Sequence, residues 1–304
     1  MSQKRQKKRK RSYYKRWGYI YTLPFFVGFF VFFFIPLVST ILYSFYEYYT
    51  IGLVEVGPNF VGLDNFISLL QTELPKYSLN TLILWLGGFL PQLAVALLLA
   101  SWFTDARLMI CGEKFFRMIL YMPGMIMASA WAMMFFTLFS NAGPVNSLLM
   151  DSGTVSEPVS FMSSVAGTRV LICFMFFIMN LGNSVILLSA TIMGLDRDIY
   201  ESARIDGCSH RRAFFKVVVP SLRPVISYII ITSMVSGIQM FDLPQIFTDG
   251  QGSPNRTSMT LIMYLNRHLL GNNYGLAGAL SVYLFLVSGI LCFFIYRILN
   301  QREE

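Results

Sequence analysis

The sequence predicts an all-α integral membrane protein with six transmembrane helices and both termini in the cytoplasm. Three observations carry this reading: the chain is poor in charge, its apolar residues fall into six long charge-free runs, and its basic residues gather in alternate gaps between those runs. Charged side chains make up 13% of the 304 residues, against 55% apolar and 16% aromatic. An ordinary soluble domain carries about 25% charged residues, so a chain this poor in them lacks the polar surface to coat a water-soluble particle. A soluble enzyme is strongly disfavoured.

A helix needs about 20 mostly apolar residues to cross the hydrocarbon, and a formal charge at its centre costs at least about 2.5 kcal/mol. Six charge-free runs meet that condition: Trp17 to Tyr46, Tyr77 to Thr104, Met118 to Met150, Val170 to Leu195, Pro224 to Phe241 and His268 to Tyr296. All are rich in Leu, Ile, Val, Phe and Met, and none alternates apolar with polar as a barrel strand would. The first run is about twice the 7–15 residues of a signal-peptide core and has no A-x-A site, so it is expected to remain as an anchor. The gaps at Glu47 to Lys76, Asp151 to Arg169 and Asp242 to Arg267 are short and rich in Gly, Pro, Asn and Ser; turns and small helices are expected there.

Orientation follows from the basic residues. With the N-terminus inside, 20 of the 24 Lys and Arg fall in inner segments, and only Lys76, Arg169, Arg256 and Arg267 lie outside. The run from Lys4 to Arg11 abuts a span with no basic domain behind it, so it reads as a tail facing anionic lipid and not as a nucleic-acid arm. The expected organisation is a basic tail over residues 1–16, a first helix and outer loop over 17–76, a five-helix core over 77–298 holding a cytoplasmic loop at 194–220, and a short inner tail at 299–304. Cys111, Cys173, Cys208 and Cys292 form no C-x-x-C pair, and His210 and His268 lie far apart, so no metal site is expected.

The spans contain no carboxylate or fixed cation of the kind a proton- or sodium-driven carrier uses. The chain also has no P-loop: Gly-Lys, which that motif requires, does not occur in it. Energy for uphill transport must then come through another subunit, which makes the largest inner loop the place to look. There Asp198 precedes Glu201 by three residues, as in a capping box, and Gly207 can end the helix, so Ile199 to Asp206 should form about two turns. Ser209 can cap a second helix with Phe214 and Val218 on one face, which Pro220 interrupts before the fifth span.

This loop resembles that of the membrane permease subunits of bacterial ABC sugar importers, the binding-protein-dependent carbohydrate-uptake group. The family pattern, E-A-A, three residues, Gly, about nine residues, apolar-x-apolar-Pro, is matched by Glu201-Ser202-Ala203, Gly207, Val217 to Val219 and Pro220. Tyr200, Ile205-Asp206 and Phe214-Phe215-Lys216 also look like the sugar-type version. Ser202 departs from the usual Ala, and Leu195-Asp196 stands where Ile-Pro is common. The likeness extends to Phe60-Val61-Gly62-Leu63-Asp64-Asn65-Phe66, to Gly143-Pro144-Val145-Asn146, and to Thr248-Asp249-Gly250 with Tyr274-Gly275-Leu276-Ala277-Gly278-Ala279. It implies a type I ABC importer permease fold, a second permease, two cytoplasmic ATPases that use ATP and Mg, an extracytoplasmic binding protein and a sugar substrate. The chain itself is expected to bind no cofactor.

The resemblance assigns ATPase coupling to Glu201, Ser202, Ala203, Ile205, Asp206, Gly207, Phe214, Phe215 and Pro220. Physically, the small residues permit close approach to a partner cleft, Glu201 can pair with a base there, and the Phe pair offers anchors. A neutral substrate needs uncharged hydrogen-bond partners within the spans. Asn180 and Asn183 with Ser184, and Ser236 with Gln239, supply these at one-face spacing, and Trp131 and Tyr283 supply flat surfaces. Interhelical hydrogen bonding and ordinary packing are the competing roles for these residues. Two other functions compete with this one: an importer permease for a non-sugar solute, and a membrane-embedded enzyme acting on lipid or glycan. The scarcity of carboxylates and the separated histidines leave such an enzyme little to work with.

Overall fold

The computed structural model describes residues 17–105, 108, 110–195 and 209–300. Backbone proximity divides the chain into two units, one of residues up to 69 with 268–283, the other of 70–267 with 284 onward. The first unit begins with helix α1 (Trp17–Tyr43), whose most apolar window has no buried residue. Such a helix needs an apolar solvent around it. Its ladder shifts to a π-turn at Phe30–Phe34 just before Pro36, which has no N–H to offer the carbonyl four residues back.

Where turns and small helices were expected after the first span, the chain instead forms an antiparallel hairpin of β1 (Tyr46–Ile51) and β2 (Val54–Phe60), followed by α2 (Asp64–Gln71). Aromatic and β-branched residues line β1, and Gly52, at φ 61, opens the two-residue turn. The register slips between Glu47 and Tyr49, leaving Tyr48 as a bulge. Its hydroxyl donates to Glu55 at 2.6 Å, and that carboxylate raises the phenol above its ordinary pKa. Asn65 of α2 donates to the Ser44 and Tyr46 carbonyls at 3.0 and 2.9 Å. A Cβ at Gly275 would collide with the same Tyr46 carbonyl, so two of the motifs that carried the resemblance meet at this one point.

In the second unit, α3 (Leu74–Thr104) carries a buried stripe of Tyr77, Thr81, Leu84, Gly88, Gln92, Ala96 and Ala100, spaced three or four residues apart. The chain continues through α4 (Glu113–Tyr121), a 3₁₀ turn at Met122–Met125, α5 (Ala128–Leu138), α6 (Pro144–Asp151) and α7 (Val165–Met193). The α3 stripe packs along α7, which runs in the same direction and buries Ile172, Met175, Phe176, Val185 and Leu188. Gly182 lets α4 lie against α7, because a Cβ there would meet the Leu120 carbonyl.

The run Met118 to Met150, expected as one span, is not a single helix. α4 with its 3₁₀ turn meets α5 at a bend of 92°, where Pro123-Gly124 interrupts the ladder. Gly143-Pro144 then starts α6 separately. A second bent pair begins before the run Pro224 to Phe241 and takes in most of it. Helical segment α8 (residues 210–221), with a π-turn at Phe214–Val218 ahead of Pro220, meets α9 (Arg223–Ile238) at 62°. Short helices α10 (Asp242–Phe247) and α11 (Leu261–Leu270) precede α12 (Tyr274–Asn300). Among the described residues, four helices are long and apolar enough to cross a membrane, or six if each bent pair is one span.

Candidate functional site

Of the residues expected to couple to an ATPase, Glu201, Ser202, Ala203, Ile205, Asp206 and Gly207 lie outside the described residues, as does the two-turn helix expected over Ile199 to Asp206. The second half of the segment is described. The Ser209 carbonyl accepts the Ala213 N–H at 2.8 Å, which places Ser209 at the expected N-cap. Val218 is buried, whereas Phe215 is 68% exposed and meets Phe214 edge to face at 5.4 Å. α8 therefore offers an aromatic pair at its surface, and the bend beyond Pro220 joins this segment to α9.

The polar residues of the spans divide into two sets. In the first, the buried Gln92 donates to the Ser184 hydroxyl at 2.7 Å and to the Asn180 carbonyl at 3.2 Å, and the Asn180 amide donates to its own helix at the Phe176 carbonyl. Ser184 and Asn180 are thus engaged in holding α3 to α7. Trp131 is half-buried, and its indole N–H donates to the Pro123 carbonyl at 3.0 Å, fastening the 92° bend. In the second set, Asn183 and Ser236 are exposed on apolar helices and Gln239 is exposed at the C-cap of α9. Tyr283 is half-buried on α12. Sequence spacing grouped Asn180 with Asn183, but the structure gives them different surroundings.

Gln92, Trp85 and Ser233 were missed in the sequence. The Trp85 indole donates to the Ser233 hydroxyl at 3.2 Å, and a Cβ at Gly237 would strike the Trp85 ring, so α9 lies close on α3. The available signal for Gln92 was a polar side chain beside Pro91 in the middle of an otherwise apolar span.

A third polar group ties the segment before α11 to the first turns of α3 and α7. Arg169 donates to the Thr257 carbonyl at 2.9 Å and to Asn80 Oδ1 at 2.8 Å. Asn80 donates to the Arg256 and Met259 carbonyls, and the Thr81 hydroxyl accepts the Leu261 N–H at 3.0 Å. Arg256 pairs with Glu73 at 2.9 Å. Near α6, the fully buried Asn146 donates to the Ser140 and Val159 carbonyls and accepts the Val159 N–H. Between α5, α10 and the turn that follows lies a cleft of about 510 Å³ lined by Met133, Phe136, Gln245, Ile246, Asp249 and Gly250.

No group of three or more His, Cys, Asp or Glu among the described residues is placed to hold a metal. The described residues thus form a set of apolar helices with uncharged polar groups along them and an aromatic pair at the surface of α8. Comparison with known proteins gives the family: the chain belongs to the binding-protein-dependent transport system inner membrane components, matched over residues 4–304. It is therefore a multi-pass ABC transporter permease that works with a solute-binding protein, and not an enzyme.

Among curated relatives, the lactose transport system permease protein LacF of Rhizobium radiobacter is 27% identical over 296 residues, covering 96% of this chain and 97% of that protein. The multiple sugar-binding transport system permease protein MsmF of Streptococcus mutans is 28% identical over 281 residues, with 91% and 93% covered. The sn-glycerol-3-phosphate transport system permease protein UgpA of Agrobacterium fabrum is 26% identical, with 90% of each chain covered. The fold matches a chain of a bacterial ABC transporter involved in the import of the acidic polysaccharide alginate, with a TM-score of 0.80, 21% identity, and 99% of this chain and 100% of that chain covered. A second match, at TM-score 0.76 and 21% identity with 97% and 96% covered, is to a bacterial alginate ABC transporter in complex with alginate pentasaccharide-bound periplasmic protein.

Proposed function

We propose that this chain is one of two permeases that together form the uptake path for a neutral sugar or oligosaccharide delivered from outside by the binding protein. Two cytoplasmic ATPases, which use ATP and Mg, drive the cycle. The observation that carries the reading is the near full-length similarity to permeases named for lactose and for multiple sugars. In this reading both bent pairs are spans, giving six, with the basic tail at 1–16 and the inner tail at 299–304 in the cytoplasm of the bacterial cell. Residues 17–76 form the first span with its outer loop, and 77–298 form the five-span core.

The loop at 194–220 docks on an ATPase through Glu201, Ser202, Ala203, Ile205, Asp206 and Gly207. Phe214 and Phe215 serve as anchors, and Pro220 marks the bend through which closure of the ATPases rotates the fifth span. Asn183, Ser236 and Gln239 line the path, where exposed amides and hydroxyls can exchange hydrogen bonds with sugar hydroxyls. Asn180, Ser184 and Trp131 hold the helices that position them, and Tyr283 offers a flat face on α12.

The glycerol-phosphate relative favours one other reading, a phosphorylated substrate. Asn183, Ser236 and Gln239, the exposed polar residues proposed for the path, carry no charge to receive a phosphate, which supports the neutral solute. In the assembled complex, Glu201→Ala and Gly207→Pro should each abolish ATP hydrolysis stimulated by loaded binding protein while the chain still inserts in the membrane. Normal stimulation in both variants would contradict the coupling role.

A further inference from the structure

The cleft between α5 and α10 carries chemistry that the fold does not consume. Its volume of about 510 Å³ lies within the range of small-molecule sites, roughly 300–1,000 Å³. Phe136, 42% exposed, and Met133 form an apolar wall, and the Gln245 amide and Asp249 carboxylate supply the polar side. The turn after α10 is already satisfied without those two side chains. Gly250 N–H donates to the Gln245 carbonyl at 2.7 Å, Gly252 N–H to the Thr248 hydroxyl at 3.0 Å, and that hydroxyl to the Pro244 carbonyl at 2.6 Å. Neither the Gln245 amide nor the Asp249 carboxylate makes a hydrogen bond or ion pair within the described residues.

Asp249 sits at φ 49, in the left-handed region that aspartate adopts more readily than most side-chain-bearing residues, and the hydrogen-bonded turn places its carboxylate at the cleft. An aromatic face beside a carboxylate and an amide suits a pyranose: the C–H face of the ring lies on Phe136, its hydroxyls donate to Asp249, and the Gln245 N–H₂ donates to a ring or hydroxyl oxygen. No Lys or Arg lines the cleft, so a uronic acid would bring its carboxylate against Asp249 uncompensated. Exposed Ser236 and Gln239 lie immediately before α10 in the chain.

The geometry points to a subsite on this chain for one neutral pyranose ring, bounded by Phe136, Gln245 and Asp249, and held by the sugar on its way to the spans. This rests on the sugar reading above. The test uses the complete transporter reconstituted in vesicles with its binding protein, with a panel of neutral pyranose-containing sugars, lactose, melibiose and raffinose among them, as probes and the ratio of sugar imported to ATP hydrolysed as readout. Phe136→Ala and Asp249→Gly, the latter compatible with positive φ, should each lower that ratio about three- to tenfold, in keeping with the worth of one aromatic or polar contact. Phe136→Tyr and Asp249→Asn should restore it. A residue with only a structural role would lower both fluxes together and leave the ratio unchanged. Import by the wild type with an unchanged ratio in both variants would overturn the subsite alone. A wild type that imports no sugar from a broad panel of neutral mono- and oligosaccharides would overturn the sugar reading, and the subsite with it.

Discussion

Asn146 and Asn183 are the same side chain in opposite conditions. Asn146 is fully buried and spends its amide on three backbone groups of the segment 140–159. Asn183 stands exposed on α7, one residue from Ser184, which is buried and bonded to Gln92. A buried amide with every partner in place is part of the fold. An exposed amide on an apolar helix adds no hydrogen bond to its own bundle and is free to meet a substrate, as the proposed path requires. The same contrast separates Asn80, bonded to Arg169 and to two carbonyls, from Gln239 at the end of α9.

The contrast is open to direct attack. The largest effect is expected for Asn146→Ala, which removes three hydrogen bonds and leaves half-buried backbone groups of Ser140 and Val159 without that partner, at a cost of about 3 kcal/mol. The unfolding midpoint of the purified chain should fall by about 6–10 °C; a fall of less than about 2 °C would mean that Asn146 does not staple this segment. A smaller structural effect but a larger functional one is expected for Asn183→Leu and Gln239→Leu. Their midpoints should stay within about 2 °C of the parent, because surface changes away from packed features cost little. Sugar uptake should fall about tenfold. Unchanged uptake in both would remove these residues from the path.

Much of this division was hidden in the sequence. The six apolar runs were legible because length and absence of charge are properties of a segment by itself. Residue spacing placed Asn180 and Asn183 together, yet which face of a helix meets α3 depends on a partner far away in the chain. Gln92 escaped notice for the same reason, since its significance comes from Ser184, 92 residues later. The hairpin Tyr46–Phe60 was read as turns because Gly52, Gly57 and Pro58 outweighed the aromatic and β-branched residues between them. The 92° bend was announced by Pro123-Gly124, but a run without charge concealed it. The motifs Asn65, Asn146 and Gly275 marked the right places before any geometry explained them, and each proves to lie against backbone carbonyls.

The account stands on transmission of force from the ATPases through the loop at 194–220 into the bent fifth span. Single cysteines placed at positions 201 to 207 and at 215, in the complete transporter, measure this most directly by crosslinking with and without ATP. The account predicts capture of an ATPase subunit at several of these positions, with yields that change when nucleotide binds. Absence of any ATPase product at every position, in a complex that still hydrolyses ATP, would contradict it.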